Sequence, residues 1–520
     1  MDYSNYRSSQ LTKQKLAIAL LLITWISAAA STPGKHFFKN RDNGQDTSTV
    51  KSPVAHKNIL FIAFDDLRTS IGCYGDTIAI TPNIDKLASR GIRFNNAYSQ
   101  QSVCAPSRAS VLTGRRPNST KVWDLKTHFR KALPNVVTLP QYFKQQGYFT
   151  QSVGKIYHDP KQAQDPPSWS APEILAVTGK FLGRYALAEN MDVLKNSKGF
   201  KAHATERAEV PDKAYIDGMV ADQAISVLNE IKDKPFFLAV GFRRPHLPFV
   251  APQKYWSMYD SIQIPLPTNP LPPKDVPKIA LHNWEELRGY TDMPKNGALT
   301  DSTKFRQLLQ GYYASTSFVD AQLGKLLDEL DRLELTQNTI IVLWSDHGFH
   351  LGEHGLWAKT TNFELDTRVP LILVDPAEQL KNVTTNAVVE LVDIYPTLVD
   401  LARLPIPEGL EGLSMAPLLK DPQRPWKTAV FSQFLRKQKG IDIMGYSVRT
   451  KEYRYTEWQD FGTGELKASE LYDEIQDHRE TVNLFGQKDQ QQNIKTLAKI
   501  LRKGWKGALP VGSEQLPHKK

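Results

Sequence analysis

Short apolar runs alternate with longer amphipathic stretches through most of the chain. The runs have the length and the apolar content of strands buried inside a parallel sheet. The predicted strands are at residues 59–64, 148–153, 236–240 and 339–344. Apolar residues at helical spacing lie between or after them and predict crossover helices. The predicted helices are at residues 83–90, 139–146, 305–333 and 392–404. The pattern predicts an α/β sandwich with a large, mostly parallel central sheet flanked by helices.

Charged or imidazole side chains follow each predicted strand. In strand order they are Asp65 and Asp66, Lys155 and His158, Arg243 and His246, and Asp346 and His347. The carboxyl ends of parallel strands meet at one edge of a sheet, so we expect these groups to lie together. An acidic pair in a loop is commonly only solvated surface, but Asp65-Asp66 directly follows a buried strand. The carboxylates and His347 therefore predict a site for a hard cation.

Two stretches interrupt this pattern, and a different pattern follows near the end. Residues 160–211 are irregular, and residues 265–277 contain six prolines, which excludes a central strand or a helix interior. We interpret both as surface insertions around the mouth of the site. After residue 421, short β-like pieces at 429–434 and 446–455 precede a terminal helix at 491–503. The prediction is a catalytic domain at 57–420 and a small α+β subdomain with a short antiparallel sheet at 421–520.

The amino-terminal segment predicts export. Lys13 and Lys15 precede a short apolar run at 16–26 and three alanines at 28–30, which is the pattern of a secretory signal peptide cleaved after Ala30. The apolar run is shorter than a transmembrane helix requires, so no stable membrane insertion is expected. Residues 31–56 are polar and are interpreted as a flexible lead-in. We expect a periplasmic or secreted protein, or a lysosomal one in a eukaryote.

Composition narrows the class of partner. The chain has 520 residues and a formal net charge of +10, which is compatible with an anionic polymer as substrate. The export signal and the lack of a recognisable binding module disfavour nucleic acid. Cys73 and Cys104 are the two cysteines, so at most one disulfide forms and core burial must supply the stability.

Cys104 begins the most informative motif. The segment Cys104-Ala-Pro-Ser-Arg108 continues to Leu112-Thr113-Gly114-Arg115 and places a thiol, a proline and an arginine where a loop becomes a helix. Proline suits the first helical turn, and the free amides of that turn attract anions. An isolated cysteine would be interpreted as a small buried hydrophobe.

The whole motif resembles the signature of type I sulfatases, in which this cysteine is oxidised to formylglycine. Further residues, in their order along the chain, resemble the iduronate-2-sulfatase-like branch of the alkaline phosphatase superfamily. That resemblance covers residues 57–485 and implies calcium ligands at Asp65, Asp66, Cys104, Asp346 and His347. It implies catalytic residues at Cys104, Arg108, Lys155, His158, His246 and Lys359. Phe349 stands where the animal iduronate enzymes carry tryptophan, so this position gives no support for uronate recognition.

The resemblance also implies a mechanism. One hydroxyl of the hydrated formylglycine attacks sulfur with help from Asp346, while one calcium ion per chain binds a sulfate oxygen. His246 and Lys359 protonate or stabilise the departing sugar oxygen, and Arg108 and Lys155 hold the oxyanions. His158 then helps the second hydroxyl to expel sulfate. The implied partners are a sulfated carbohydrate, such as a glycosaminoglycan or ulvan, and an enzyme that generates formylglycine.

Two further interpretations of the function remain beside this one. A phosphatase or phosphonate monoester hydrolase of the same superfamily shares the architecture, although a two-zinc site would demand more His and Asp ligands. A noncatalytic carbohydrate-binding homologue would keep the fold but would normally lose at least one charged catalytic residue. His350 and His354 are predicted to be structural or rim residues.

Overall fold

The apolar runs that end in charged residues form the centre of a large sheet. The structure is a computed structural model that describes residues 56–158, 164–177, 182–196 and 201–512. The predicted signal peptide and most of the lead-in lie outside the described residues.

The strands follow one another along the chain with helices between most of them. The strands of the large sheet are β1 (Asn58–Asp65), β2 (Ile92–Tyr98), β3 (Phe149–Gly154), β5 (Phe236–Pro245), β7 (Thr339–Ser345), β10 (Arg368–Val369), β11 (Leu371–Val374) and β12 (Val383–Glu390). Shorter strands are β4 (Thr205–Ala208), β6 (Phe249–Pro252), β8 (His350–Leu351) and β9 (Trp357–Ala358). The last four are β13 (Val430–Gln438), β14 (Ile441–Arg449), β15 (Tyr453–Asp460) and β16 (Leu466–Asp473).

The helices range from single turns to one long crossover. They are α1 (Pro82–Ser89), α2 (Cys104–Thr113), α3 (Pro117–Thr120), α4 (Leu139–Gln145), α5 (Ala188–Asn196), α6 (Ile216–Ile231), α7 (Gln253–Ser257), α8 (Glu285–Arg288), α9 (Ser302–Arg332), α10 (Glu364–Thr367), α11 (Ile394–Leu401), α12 (Ala416–Lys420) and α13 (Gln491–Lys503).

The large sheet confirms the predicted fold class. Its order is β10-β2-β11-β7-β1-β5-β3, with β12 paired to β2. The central strands β7, β1, β5 and β3 are parallel, whereas β11 pairs antiparallel with both β7 and β2. Parallel pairing brings the carboxyl ends of β1, β3, β5 and β7 to the same edge. That edge is where the predicted site residues lie.

Helices cover both faces of the sheet. Leu60 and Ile62 of β1 pack into one core with residues of α6 and α9. Ile59 and Phe61 of the same strand pack into a second core with residues of α2, α4 and α11. Because successive strand residues point to opposite faces, a strand that is apolar throughout must be buried on both sides, as the sequence predicts.

Two predicted elements differ from the observed ones. The predicted helix at 392–404 is the shorter α11, preceded by a 3₁₀ turn at Leu391–Asp393. The predicted single strand at 446–455 is wrong, because it spans the end of β14, a turn and the start of β15. In that turn Thr450 Oγ1 accepts from the backbone N–H groups of Glu452 and Tyr453.

The carboxyl-terminal segment is an antiparallel sheet covered by a helix. Its order is β13-β14-β15-β16, and α13 packs on it through Leu497 and Ala498. This sheet and the large sheet belong to the same compact unit. That unit begins at Ala55. The domain boundary at residue 420 stays a prediction.

The two irregular stretches have little regular structure. The described parts of 160–211 contain α5 and β4, and β4 pairs with β6. Residues 265–277 contain neither helix nor named strand, as their prolines predict. Among the described residues, no helix is both long and apolar enough to cross a membrane.

Candidate active site

The predicted metal ligands meet at the carboxyl edge of the central strands. Asp65 ends β1 and Asp346 follows β7, which is hydrogen-bonded to β1. One ligand atom from each of Asp65, Cys104, Asp346 and His347 lies within 4.8 Å of the others, and Asp66 joins a second such group with Asp65, Cys104 and His246. Strand pairing therefore assembles residues that are far apart in the sequence.

The cysteine motif forms a fully buried helix, with Cys104 in its first turn. Cys104 begins α2, and all ten residues of that helix are buried. Ser107 Oγ donates to the backbone oxygen of Asp346 at 2.5 Å, so the motif fixes the main chain of a predicted metal ligand. At the other end Gly114 adopts φ 64°, the left-handed conformation that commonly ends a helix.

Arg108 connects both acidic strand ends to the loop after β3. Its Nε donates to Asp346 Oδ2 at 2.8 Å, and its Nη2 donates to Asp65 Oδ1 at 3.4 Å and to the Phe64 oxygen at 3.3 Å. Its Nη1 donates to the backbone oxygens of Lys155 and Ile156. All five guanidinium N–H groups therefore have acceptors within the protein.

Two lysines balance the first two carboxylates. Lys155 Nζ donates to Asp65 Oδ2 at 2.5 Å, and Lys359 Nζ lies 2.8 Å from Asp66 Oδ2. Burial raises the pKa of Asp65, but the charges of Lys155, His246 and Arg108 together outweigh it and hold that pKa well below its usual range. Burial dominates at Asp66 and raises its pKa although Lys359 opposes the shift. Adjacent carboxyl groups thus have opposite pKa shifts.

The thiol of Cys104 faces His347. Cys104 is 2% exposed, and its Sγ is 3.4 Å from His347 Nε2. His347 Nδ1 lies 3.0 Å from the Gly348 oxygen, which favours the tautomer that leaves the Nε2 lone pair directed at the carboxylates. Burial and the charge of Asp65 raise the pKa of the Cys104 thiol well above its ordinary value.

His158 and His246 have different surroundings. Burial and the charge of Lys155 lower the pKa of His158 to about 2, so its ring is neutral, and its Nδ1 is buried with no hydrogen-bond partner among the described residues. His246 Nδ1 lies 2.6 Å from the Leu247 oxygen, and its Nε2 lies 3.1 Å from Glu286 Oε1. Both ring nitrogens of His246 therefore face acceptors.

Glu286 is a site residue that the sequence did not reveal. It belongs to α8, and its carboxylate contacts Lys359 Nζ at 2.8 Å as well as His246. Burial raises the pKa of Glu286, but the charges of Lys359 and His246 bring it well below its ordinary value. A four-residue helix has too few positions to show a periodic pattern, so no sequence signal identified it.

The segment before Lys359 contributes three buried side chains next to the site, those of Phe349, His350 and His354. Phe349 is fully buried and lies 5.8 Å beneath Lys359 Nζ. His350 Nδ1 lies 2.7 Å from Asp366 Oδ1, and His354 Nε2 lies 2.7 Å from the Arg479 oxygen. The two histidines, which precede Lys359 in the chain, are thus engaged with α10 and with the backbone of the carboxyl-terminal segment.

The donor set fits a hard divalent cation. Three carboxylates supply oxygen ligands, which calcium and magnesium prefer, and His347 adds one nitrogen. Three buried cations, Arg108, Lys155 and Lys359, balance the three carboxylates. A cation bound here would leave net positive charge for an anionic ester. The sheet and the site define an α/β protein with a candidate metal centre at the carboxyl ends of its parallel strands.

Comparison with known proteins defines the family. The sulfatase family model matches residues 57–404, and a model described as N-sulphoglucosamine sulphohydrolase, C-terminal, matches residues 352–506. Iduronate 2-sulfatase of Mus musculus is 37% identical, over 81% of this chain and 90% of the relative. The chain belongs to the sulfatase family, and it is a sulfuric ester hydrolase.

Two solved structures have the same fold. A protein in complex with its substrate D-glucosamine-2-N,6-O-disulfate gives a TM-score of 0.70 at 24% identity, over 89% of this chain and 100% of that one. Phosphonate monoester hydrolase of Agrobacterium radiobacter gives a TM-score of 0.69 at 21% identity, over 86% of this chain and 96% of that one. The family match favours sulfate over phosphonate esters, as the sequence predicts.

Proposed function

We propose that this sulfatase removes sulfate from a sulfated carbohydrate, with residue 104 as the nucleophile. One observation carries the proposal: Cys104 lies at the start of a buried helix, next to carboxylates whose geometry could hold a cation, and inside a group of fixed positive charges. A sulfate monoester is an anion that cannot supply a proton, so its cleavage needs positioned cations and donors.

The proposed nucleophile is a formylglycine formed from Cys104. The raised pKa of the thiol keeps it protonated and weakly nucleophilic, and a thiol suits a hard cation poorly. A hydrated formylglycine supplies oxygen: one hydroxyl attacks the sulfur and the other expels sulfate. Because Cys104 is 2% exposed, the maturation enzyme must reach it before α2 packs. Mass spectrometry of the peptide containing residue 104 tests this; thiol alone in active protein would overturn it.

We propose calcium as the ion held by Asp65, Asp66, Asp346, His347 and the oxidised residue 104. Bound there, it supplies charge stabilisation at a sulfate oxygen. Removing it with a chelator should lower the thermal unfolding temperature, and added Ca²⁺ should restore it, because a ligand that binds the folded state stabilises it. Asp346→Asn should reduce this Ca²⁺-dependent shift. An unfolding temperature that is insensitive to both treatments would contradict a calcium site.

The other residues have proposed roles that follow from their contacts. Lys155 holds sulfate oxygens, and His246 and Lys359 attend the departing sugar oxygen. His158 keeps the role of base that the resemblance implies, because its buried Nδ1 has no partner among the described residues and can accept a hydrogen bond. Arg108 has all its donors engaged, so its contacts favour fixing Asp65 and Asp346 over direct contact with substrate.

The proposed substrates are sulfated polysaccharides or their oligosaccharides, with glycosaminoglycans and ulvan as the leading classes. The similarity to an iduronate 2-sulfatase supports this class, and the net charge of +10 suits polyanions. A panel of defined sulfated oligosaccharides, with each lost sulfo group located by mass spectrometry, identifies the sugar and position. No desulfation of any carbohydrate, with turnover of aryl sulfate, would restrict the protein to non-carbohydrate esters.

Aryl sulfate and aryl phosphate assayed side by side test the rival chemistry. We expect sulfate turnover to dominate, whereas dominant phosphate turnover would favour a phosphatase. A noncatalytic homologue is disfavoured because the charged residues that the motifs predict are present and in contact with one another. Export is proposed from residues 13–30, and a mature amino terminus at Ser31 in the exported protein is the expected result.

A further inference from the structure

The carboxylate of Glu286 lies between the two groups proposed to act on the departing oxygen. Its Oε1 is 3.1 Å from His246 Nε2, and its Oε2 is 2.8 Å from Lys359 Nζ. Nothing in the strand-end pattern requires an acid there, since Asp65, Asp66 and Asp346 already serve the predicted cation site. An added negative charge also opposes the binding of a sulfate ester.

The helix that carries Glu286 is firmly anchored. Leu287 and Tyr290 are 0% and 1% exposed and pack into the main core. Arg288 donates to the backbone oxygens of Pro294 and Gly297, and Lys201 Nζ donates to the Glu286 backbone oxygen. The carboxylate therefore projects from a fixed backbone, unlike a glutamate on a mobile surface loop.

The contacts of His246 indicate what the carboxylate does. Its Nδ1 faces the Leu247 oxygen at 2.6 Å, so a hydrogen on Nδ1 satisfies that carbonyl. The other nitrogen, Nε2, faces the Glu286 carboxylate, so contacts at both nitrogens fix the orientation of the ring. The same carboxylate holds the ammonium of Lys359, which is flanked by Ala358 at φ 72° and Thr360 at φ 92°. One acid thus orients two side chains from separate loops.

We propose that Glu286 is a positioning residue that holds the ammonium of Lys359 towards the leaving-group oxygen and keeps the ring of His246 beside it. This inference rests on the proposed function, because it assumes that the two donors act on a departing sugar oxygen. Alignment matters most for a sugar alkoxide, which is a poor leaving group and needs a donor as the S–O bond breaks. A nitrophenolate delocalises its own charge and needs the donors far less.

The test compares Glu286→Gln, Glu286→Ala and the matched control Glu285→Gln on two substrates. Glu285 is exposed on the same helix. On a sulfated oligosaccharide that the wild type desulfates, we expect kcat of Glu286→Ala to fall about 10- to 100-fold without a rise in KM. On 4-nitrophenyl sulfate we expect a markedly smaller loss. Glu286→Gln keeps an acceptor oxygen and should fall between Glu286→Ala and the wild type, and Glu285→Gln should match the wild type.

Equal losses on both substrates, or no loss on the oligosaccharide, would overturn the inference. Thermal unfolding of each variant separates misfolding from misalignment, and Glu286→Gln, which is nearly isosteric, keeps the test available if Glu286→Ala fails to fold. The wild-type assay is independent of these variants. A wild type that desulfates no carbohydrate refutes the proposed function, whereas an active wild type with an unselective Glu286→Gln refutes the positioning role alone.

Discussion

At the scale of the residue, Arg108 illustrates how one motif position organises a site. Its guanidinium contacts Asp346, Asp65 and three backbone oxygens. The motif assigns it to hold substrate oxyanions, a role that stays a prediction. The observed contacts give it another function, because a planar group with five donors fixes two carboxylates and the loop after β3 at once.

Arg108→Lys tests this function. Lysine keeps the charge but has three donors on a flexible stem, so it cannot replace all five contacts. We expect kcat/KM on a sulfate ester to fall about 100-fold and the free energy of unfolding to fall by about 1–3 kcal/mol. Arg90→Lys, which changes a surface pair with Asp331, should stay within about 0.5 kcal/mol of the wild type. Wild-type activity in Arg108→Lys would contradict the assignment.

At the scale of the element, α2 shows what the end of the motif does. Gly114 has φ 64°, and a Cβ there would meet Leu410 Cδ2 at 2.6 Å and Tyr395 Cδ1 at 3.0 Å. The glycine therefore ends the helix and also permits close packing against the segment around α11. The position of Cys104 depends on this packing, because residue 104 is at the other end of the same helix.

Gly114→Ala and Gly440→Ala separate the two effects. Gly440 has φ 82°, and a Cβ added there would meet nothing within 4 Å, so alanine at that position adds backbone strain alone, about 1–2 kcal/mol. Gly114→Ala adds the steric conflict and should cost about 1–3 kcal/mol more. Urea unfolding measures both, and equal losses would argue against the packing role of Gly114.

The strand β16 carries a buried acid with a consequence for pH. Burial raises the pKa of Glu470 from 4.5 to about 7, although Trp458 and Tyr472 donate hydrogen bonds to it. The folded state thus binds this proton more tightly than the unfolded state. Its contribution to stability is full below about pH 4 and is lost as the pH rises through about 7.

Glu470→Gln removes that ionisation and keeps a similar shape. At pH 8 we expect the variant to be more stable than the wild type by about 1–3 kcal/mol, with little difference at about pH 4. Urea unfolding at both pH values measures the change. A variant that parallels the wild type across this range would show that Glu470 ionises normally in the folded protein.

The elements also show why some segments are predictable and others are not. The parallel strands are predictable because burial on two faces leaves a continuous apolar run in the sequence, and α13 is predictable because burial on one helical face leaves a periodic pattern. The β14–β15 turn at residues 450–452 reads Thr-Lys-Glu, with no glycine, proline or asparagine to signal it. The sequence pattern therefore predicts one strand where the structure has a hairpin of two.

At the scale of the whole molecule, a buried charge network joins the large sheet to the carboxyl-terminal sheet. Arg454 of β15 contacts Glu364 of α10 at 2.5 Å and Glu480 at 2.8 Å, and Glu474 lies 3.3 Å away. Arg449 contacts the same Glu364 at 3.2 Å. Because α10 follows the loop that carries Lys359, this network ties the second sheet to the site.

Arg454→Met should destabilise the whole unit. Methionine leaves Glu364 and Glu480 buried with fewer partners, and removing one member of a buried ion pair costs about 3–5 kcal/mol. Arg207→Met, which breaks a partly exposed pair with Asp260, should cost about 0–1 kcal/mol. Chemical denaturation compares the two, and similar small losses would show that the network does not hold the sheets together.

The sequence by itself determined the sandwich and the edge of the sheet where the predicted ligands Asp65, Asp66, Asp346 and His347 lie, whereas Cys104 was predicted from the resemblance of its motif. A buried strand is visible in the sequence as an apolar run that ends in polar residues. Parallel pairing then brings those ends together. Only the tertiary structure decided that Glu286 joins His246 and Lys359. That contact depends on how the core residues Leu287 and Tyr290 dock a short helix, and docking between distant segments leaves no periodic pattern in the chain.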